Sequence, residues 1–320
     1  MPDIRWKRMA LLSSSTITFS GHETFVLRSN WLKKAYDLLQ DQPDLFARED
    51  CFARLGVGKN MAQSIRFWGR VCGVFERTED SKGHRATWLG QALLDDHNGW
   101  DPFLVTPTSH WLLHWQIVRR PEVAFTWYFT FNLLRRGEFT IPSLAQQILT
   151  FVAQYGGKAP SDATLSRDID CMLRCYVQPD AIHLKTAVED ALYCPLHTTG
   201  LIQSLPNQQA YYLVSGTHPN LSDHLVALAS FHQARMLKRK TVSFAELAYG
   251  ERSPGRIFRL DEDALLARLL RLEQVTAGRA VYNESAGIRQ IAWRNLDEEE
   301  HEVDRALLKA AFNQEHAYAE

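Results

Sequence analysis

The chain has 320 residues, of which 45% are hydrophobic and 23% charged, and its 36 Lys and Arg against 37 Asp and Glu give a formal net charge of −1. This composition is that of a globular protein, and it excludes a collagen-like, low-complexity or wholly disordered chain. No run approaches the ~18 uncharged apolar residues of a membrane span. We therefore expect a cytoplasmic protein that does not enter a membrane and keeps its five cysteines as free thiols.

The first unusual string is FSGHETF at 19–25, followed by Arg28. Its Ser-Gly pair predicts a turn. An arginine can bind phosphate oxygens as a fork, and a histidine or carboxylate can transfer a proton or bind a metal ion. His22, Glu23 and Arg28 are therefore the candidate catalytic residues. The alternative is a knot of caps and ion pairs that pins this segment to the protein.

The segment 51–89 predicts the element order of a winged helix. A short helix ends near Leu55, the Gly-Val-Gly sequence at 56–58 makes a turn, and a second helix runs from Lys59 to Cys72. Strands at 73–76 and 87–89 would then enclose a polar hairpin. In such modules the second helix enters the major groove of DNA. The alternative is a helical hairpin with a β-ribbon that binds nothing.

The presented face of that second helix has the side-chain types that read base edges and phosphates. The predicted DNA-binding residues of the helix are Lys59, Asn60, Gln63, Arg66 and Arg70. From the hairpin we expect further phosphate contacts by Arg77, Lys82 and Arg85.

Charge is unevenly distributed along the chain. Residues 59–85 and 235–259 are basic, whereas 296–320 are acidic. This pattern suits a polyanion binder whose acidic tail competes for the same surface. Solvated helix faces are the simpler explanation of each basic segment taken alone.

The rest of the chain predicts a helical middle and a second winged-helix-like unit. The helices include one after Pro142 and one capped by Ser161. A helix over 260–275 and strands at 275–281 and 290–293 follow. The predicted fold is mostly α with small β wings, in which winged-helix units flank a helical middle domain. The expected domains are 1–96, 97–222 and 223–295, followed by an acidic tail at 296–320.

Three cysteines and a histidine have a spacing that resembles a zinc site, C-x3-C-x18-C-x2-H. They are Cys171, Cys175, Cys194 and His197. Cys171 lies on the apolar side of its predicted helix, and buried cysteines commonly act as small hydrophobic residues. We therefore expect core cysteines here rather than zinc ligands.

Several strings together resemble a bacterial family of unknown function that is encoded in DNA phosphorothioation and phage-defence loci. They occur in the family's order and span about 15–295, with GHETF on Gly21–Phe25 and LGVGKN on Leu55–Asn60. The weaker strings include TLSRDIDCMLRCYV and SPGRIFRLDEDAL. The resemblance implies double-stranded DNA as ligand. It also implies a cysteine desulfurase, an ATP pyrophosphatase-like sulfurtransferase and an ATPase as partners.

The resemblance further implies a DNA nickase that uses Mg²⁺ or Mn²⁺, because a counterpart in one such system is described as a nicking component. The sequence itself contains no nuclease motif, so enzymatic activity is an open question. Two alternatives remain: a non-catalytic winged-helix transcriptional regulator of the same locus, which would be a homodimer, and a scaffold for the sulfur-transfer enzymes.

Overall fold

The structure is a computed structural model that describes residues 17–79, 83–155, 158–178, 194–205, 209–294 and 296–319. Within these ranges the protein is mostly helical and has small antiparallel sheets, which confirms the predicted fold class at that level. No helix in the described ranges has the length and apolar character needed to cross a membrane.

The helices and strands are as follows in chain order. The α-helices are α1 (Ser29–Asp41), α2 (Cys51–Arg54), α3 (Lys59–Val71), α4 (Trp88–Leu94), α5 (Pro107–Val118), α6 (Phe125–Tyr128), α7 (Ile141–Gln154), α8 (Asp162–Tyr176), α9 (Asp223–Leu237), α10 (Phe244–Tyr249), α11 (Pro254–Ile257), α12 (Glu262–Leu270), α13 (Leu272–Val275) and α14 (Glu300–Ala319). The strands are β1 (Phe75–Arg77), β2 (His84–Ala86), β3 (Glu138–Thr140), β4 (Ile202–Leu205), β5 (Ala210–Leu213), β6 (Thr241–Ser243), β7 (Ala280–Ser285) and β8 (Ile288–Trp293). Short 3₁₀ turns at Leu45–Ala47 and Pro195–Thr199 and a π-helical turn at Phe129–Leu133 complete the list.

The chain divides into two compact units. The first unit comprises Met1–Val105, Gln116–Thr130 and Leu134–Leu213, and the second comprises Thr106–Trp115, Phe131–Leu133 and Val214–Glu320. Most of the predicted N-terminal and middle segments lie in the first unit. The predicted C-terminal domain and acidic tail lie in the second.

In the first unit, helix α3 forms where its apolar period predicts a helix. It follows a turn in which Gly56 has φ of +60°, a conformation that glycine adopts without strain. The buried side of α3 includes Ile65 and Trp68, and the Trp68 ring stands edge-on to that of Trp127 at 5.6 Å between centroids. A Cβ at Gly69 would lie 1.9 Å from the Phe75 ring, so this glycine lets the helix approach β1.

The hairpin after α3 is antiparallel, with Arg77 opposite His84 and Glu76 opposite Arg85. Its second strand ends at Ala86, so the prediction of a strand at 87–89 is wrong. The Thr87 hydroxyl instead accepts a hydrogen bond from the Gly90 N–H at 3.0 Å and caps α4. An N-cap residue has extended backbone angles, and a capping threonine therefore resembles strand sequence.

The middle segment is not entirely helical, because β3, β5 and β4 form a three-stranded antiparallel sheet in that order. Strands of three or four residues are too short to produce a clear period. The helices predicted there are confirmed: Pro142 lies in the first turn of α7, and the Ser161 hydroxyl accepts from the Thr164 N–H at 3.1 Å to cap α8.

The second unit contains a three-stranded sheet with the order β6-β8-β7, and α10, α12 and α13 pack against it. The predicted helix over 260–275 ends at Leu270 and restarts at Leu272 as α13. The acidic segment forms α14, which packs on α9 and buries one apolar face. The buried residues of α14 are Val303, Leu307, Leu308, Ala311 and Phe312.

Candidate nucleic-acid interface

Helix α3 presents the polar face that the sequence predicts. Lys59, Asn60 and Gln63 are exposed, and Arg66 and Arg70 are half-buried. The opposite face is fixed in the core of the first unit, where the Trp68 Nε1–H donates to the Phe25 carbonyl oxygen at 3.1 Å. The predicted base-reading and phosphate-reading side chains therefore share one accessible side of a helix that is held firmly from behind.

Three arginines at the end of this face have no carboxylate partner among the described residues. They are Arg66, Arg70 and Arg77. Burial lowers the pKa of the Arg70 guanidinium, and the neighbouring charges of Arg77 and Arg66 lower it further. We call these three residues the arginine cluster. Its positive charges repel one another, and a bound polyanion would relieve that repulsion.

The remaining predicted wing residues differ from the cluster. Arg85 pairs with Glu76 at 2.8 Å across the hairpin, so its charge is already balanced. Lys82 lies outside the described residues. Of the predicted wing contacts, Arg77 is therefore the one that the structure places with the helix arginines.

Two residues near the cluster were not predicted from the sequence. Arg120 donates to the Arg70 carbonyl oxygen at 2.8 Å and adds a fourth positive charge. His84 is 7% exposed, and burial together with Arg66 and Arg70 lowers its pKa to about 4. Arg120 is 50 residues from Arg70, and no local pattern links the two. One feature could have drawn attention to His84, namely that it lies opposite Arg77 in the hairpin.

A cleft of about 540 Å³ opens beside the N-terminal half of α3. Polar and aromatic side chains line it, and three of the predicted DNA-binding residues are among them. The lining residues are Phe46, Arg48, Glu49, Cys51, Phe52, Lys59, Ala62, Gln63 and Arg66. The exposed helix face therefore borders a concave surface rather than a flat one.

His22 lies in a different environment from the one that a phosphate site requires. Its side chain is fully buried, and its Nε2 lies 2.7 Å from Oδ1 of Asp168. Its Nδ1 accepts from the Thr24 N–H at 3.0 Å, so the ring is a neutral imidazole that donates through Nε2. Both ring nitrogens are thus used within the protein.

Asp168 is the centre of this buried group. It is 2% exposed and also accepts from the Ser20 N–H at 2.7 Å and from the Thr126 hydroxyl. Glu23 is half-buried with φ of +49°, and the Arg28 guanidinium lies 4.8 Å from the Trp31 ring centroid. These contacts favour the alternative interpretation of GHETF, in which the string holds its segment to the rest of the protein. The catalytic assignment of His22, Glu23 and Arg28 stays a prediction.

The four residues with zinc-like spacing are buried, and three of them bond to backbone carbonyl oxygens. The Cys171 thiol donates to Phe25 at 3.4 Å, and the Cys194 thiol donates to Cys175 at 3.3 Å. His197 Nε2 lies 2.8 Å from the Arg174 carbonyl oxygen. Each contact is one that a core side chain makes with neighbouring backbone.

Within the described ranges, one group of three side chains has the geometry of a metal site. His232 on α9 and Glu300 and Asp304 on α14 bring one ligand atom each within 4.8 Å of the others. His232 Nε2 lies 2.8 Å from Asp304 Oδ1, and Nδ1 lies 3.6 Å from Glu300 Oε1. Octahedral ligands at about 2.1 Å from a metal are about 3 Å apart when adjacent. The spacing of Nε2 and Asp304 Oδ1 matches adjacent ligands, and it is also that of a hydrogen bond between them. One imidazole offers a single nitrogen to a cation, so Glu300, which lies nearer Nδ1, would have to turn toward Nε2 to complete the set. A nitrogen ligand favours Mn²⁺ over Mg²⁺.

Three basic residues of the second basic segment pair with carboxylates of the second unit. Lys240 pairs with Asp297 at 3.5 Å, and Arg239 pairs with Glu246. The Arg235 guanidinium lies 3.8 Å from Glu300. Acidic residues of 296–320 thus already occupy part of this surface.

A family profile described as "Protein of unknown function (DUF4007)" matches residues 19–312. No curated protein matches the chain. A solved structure titled "SspB crystal structure" is 29% identical and has a TM-score of 0.82, with coverage of 94% of this chain and 91% of that chain. A second, "Magnesium ion-bound SspB crystal structure", is 28% identical and has a TM-score of 0.79, with coverage of 95% and 98%.

Proposed function

The chain belongs to the DUF4007 family, and from this premise we propose that it is the DNA-binding component of a DNA phosphorothioation and phage-defence system. The observation that carries the proposal is the arginine cluster. Three guanidinium groups without a carboxylate partner in the described part of the chain border a helix face of Lys, Asn and Gln. Such a surface matches the phosphates and base edges of duplex DNA.

The winged-helix interpretation of both units is part of this proposal. In the first unit, α2, α3 and the β1–β2 hairpin follow in the required order. In the second, β6 joins α9 to α10, and the sheet order β6-β8-β7 leaves the β7–β8 hairpin as the wing. Its α12 begins with acidic residues, and its Arg268 is buried and donates to the Leu221 carbonyl oxygen at 2.7 Å. We therefore assign DNA reading to α3, and packing or dimer formation to the second unit.

The family resemblance and the similarity to SspB structures support the sulfur-modification setting. The partners we propose are the cysteine desulfurase, the ATP pyrophosphatase-like sulfurtransferase and the ATPase of such a locus. A near-zero net charge fits a subunit that completes its DNA surface together with partners.

Replacing Arg66 by alanine should weaken binding to duplex DNA by about 1–3 kcal/mol, because Arg66 belongs to the arginine cluster and also lines the cleft. Fluorescence anisotropy with a labelled duplex measures this change. Arg54→Ala is the matched control, since Arg54 is a neighbouring arginine whose charge is balanced by Asp50 at 2.7 Å. Equal affinities of the two variants would remove α3 from the interface.

A second candidate function is metal-dependent DNA nicking, favoured by the His232 group and by the magnesium-bound relative. His232, Glu300 and Asp304 would hold the cation, which when bound polarises a phosphodiester oxygen. In this chain, His232 and the two carboxylates would fix its position on α9 and α14, which are packed together.

Asp304→Asn should abolish the conversion of supercoiled plasmid to open circle in Mn²⁺ or Mg²⁺, because it removes a ligand charge. A chelator should do the same to the unaltered protein. Glu302→Gln is the control, since Glu302 is an exposed carboxylate on the same helix. Nicking that survives Asp304→Asn but is lost in a folded His22→Ala/Glu23→Ala variant would place the site at GHETF instead. Slower migration of the DNA on a gel, without conversion to open circle, would favour the non-catalytic regulator.

A further inference from the structure

His84 combines burial with a ring nitrogen that lacks a partner. The residue is 93% buried by accessible surface, and its Nε2 has no hydrogen-bond partner among the described residues. Its ring stands edge-on to Phe46, with centroids 5.2 Å apart. Buried polar atoms normally find a partner, so the orphaned Nε2 is available to bond a ligand once the side chains that close it off from solvent move aside.

The surroundings of His84 define what that ligand must be. Arg66 and Arg70 from α3 and Arg77 from β1 are the charged groups that act on the ring. The 3₁₀ turn contributes the apolar Phe46, and the hairpin residues Glu76 and Arg85 neutralise each other. The ligand must therefore be an anion with acceptor oxygens, and a phosphodiester group has both properties.

We propose that the arginine cluster and His84 form one phosphate-binding site, in which His84 donates from Nε2 to a phosphate oxygen of the DNA backbone and takes up a proton as the phosphate binds. This inference rests on the proposed function and adds a residue that charge counting overlooks, since a neutral histidine carries no charge in the free protein.

The direction of the pH effect follows from the charges. In the free protein burial and the arginine cluster hold the pKa of His84 near 4, so the ring is neutral at pH 7. The negative charge of a bound phosphate opposes the arginines and raises this pKa in the complex. The complex then binds one more proton than the free protein does, and affinity rises as pH falls below the raised value.

The test compares His84→Gln with the unaltered protein by fluorescence anisotropy at constant ionic strength, from pH 7.5 down to 5.5. Near pH 7.5 the two should bind alike, whereas at pH 5.5 the unaltered protein should bind about 3–10-fold more tightly than the variant. His97→Gln is the control, since His97 is exposed in the same unit. Parallel pH profiles of His84→Gln and the unaltered protein would overturn the inference while leaving DNA binding intact.

A second measurement does not depend on a folded variant. NMR of labelled histidine in the unaltered protein should show His84 titrating near pH 4 when free and at a clearly higher pH with duplex bound. An unmoved titration would reject the site. The same shift with inorganic phosphate alone would reject its assignment to the DNA backbone. Absence of DNA binding at every pH and at low salt would overturn this inference together with the proposed function.

Discussion

Replacing Arg66, Arg70 and Arg77 together with alanine is expected to weaken DNA binding about 100–1000-fold near 0.1 M salt. Each phosphate contact releases about 0.9 counterion from B-DNA. Three lost contacts should therefore reduce the slope of log affinity against log salt concentration by about 2.7. A titration series over a range of salt concentrations measures both quantities, and the slope reports the number of contacts independently of base reading.

The triple variant should remain as stable as the unaltered protein, which separates it from a variant that binds poorly because it unfolds. The three side chains have no carboxylate partner in the described part of the chain, so their removal breaks no ion pair among the described residues. It also relieves the repulsion that lowers the pKa of Arg70. Thermal unfolding of both proteins should therefore give equal midpoints, or a slightly higher one for the variant.

Arg54 and Arg174 provide the comparison for that experiment. Each is an arginine of the first unit that already pairs with an aspartate, Arg54 with Asp50 at 2.7 Å and Arg174 with Asp170 at 2.9 Å. The double variant Arg54→Ala/Arg174→Ala should keep nearly the full salt slope. If it lost as much slope as the cluster variant, general charge rather than the arginine cluster would govern binding.

The candidate interface could be predicted from the sequence where its features are local. The apolar period from Ile65 to Trp68 and the turn at Gly56 fix the rotation of α3, and that rotation decides which polar residues reach solvent. The cap at Ser161 is likewise local, since its hydroxyl bonds the backbone N–H three residues on. Period and capping therefore predicted most helices.

The rest was not predictable because it depends on pairing between distant segments. The sequence does not distinguish Arg85 from Arg77, since both are predicted phosphate contacts. In the fold, Glu76 pairs with Arg85 and balances its charge. The second basic segment is as rich in charge as the first, but it meets acidic residues of 296–320. Charge counting finds basic segments, whereas a binding surface requires basic side chains that remain unbalanced after folding.

The role of the GHETF string also depends on pairing between distant segments. Its histidine and carboxylate suggested chemistry, and the partner that decides the role of His22 is Asp168, 146 residues away. The group His232, Glu300 and Asp304 also joins segments far apart in sequence. No spacing rule connects them, so only the fold could reveal either group.

Replacing Asp168 by alanine is expected to lower the free energy of unfolding by about 3–5 kcal/mol, because three donors lose their acceptor at about 1–3 kcal/mol each. Three buried or partly buried donors share this carboxylate: His22 Nε2–H, the Ser20 N–H and the Thr126 hydroxyl. Without it each of them loses this acceptor, and the fully buried His22 and Thr126 side chains cannot turn to solvent instead. Urea denaturation with an unchanged m-value measures the loss.

Asp170→Ala is the matched control, because Asp170 lies on the same helix but is exposed and pairs only at the surface with Arg174. Its loss should cost less than about 1 kcal/mol. A large cost at Asp168 and a small one at Asp170 would mean that GHETF is held as a structural knot, so lost activity in a His22 variant would report unfolding. If Asp168→Ala were as stable as its control, the buried pair would be dispensable for folding. That result would favour the catalytic prediction, in which His22 transfers a proton.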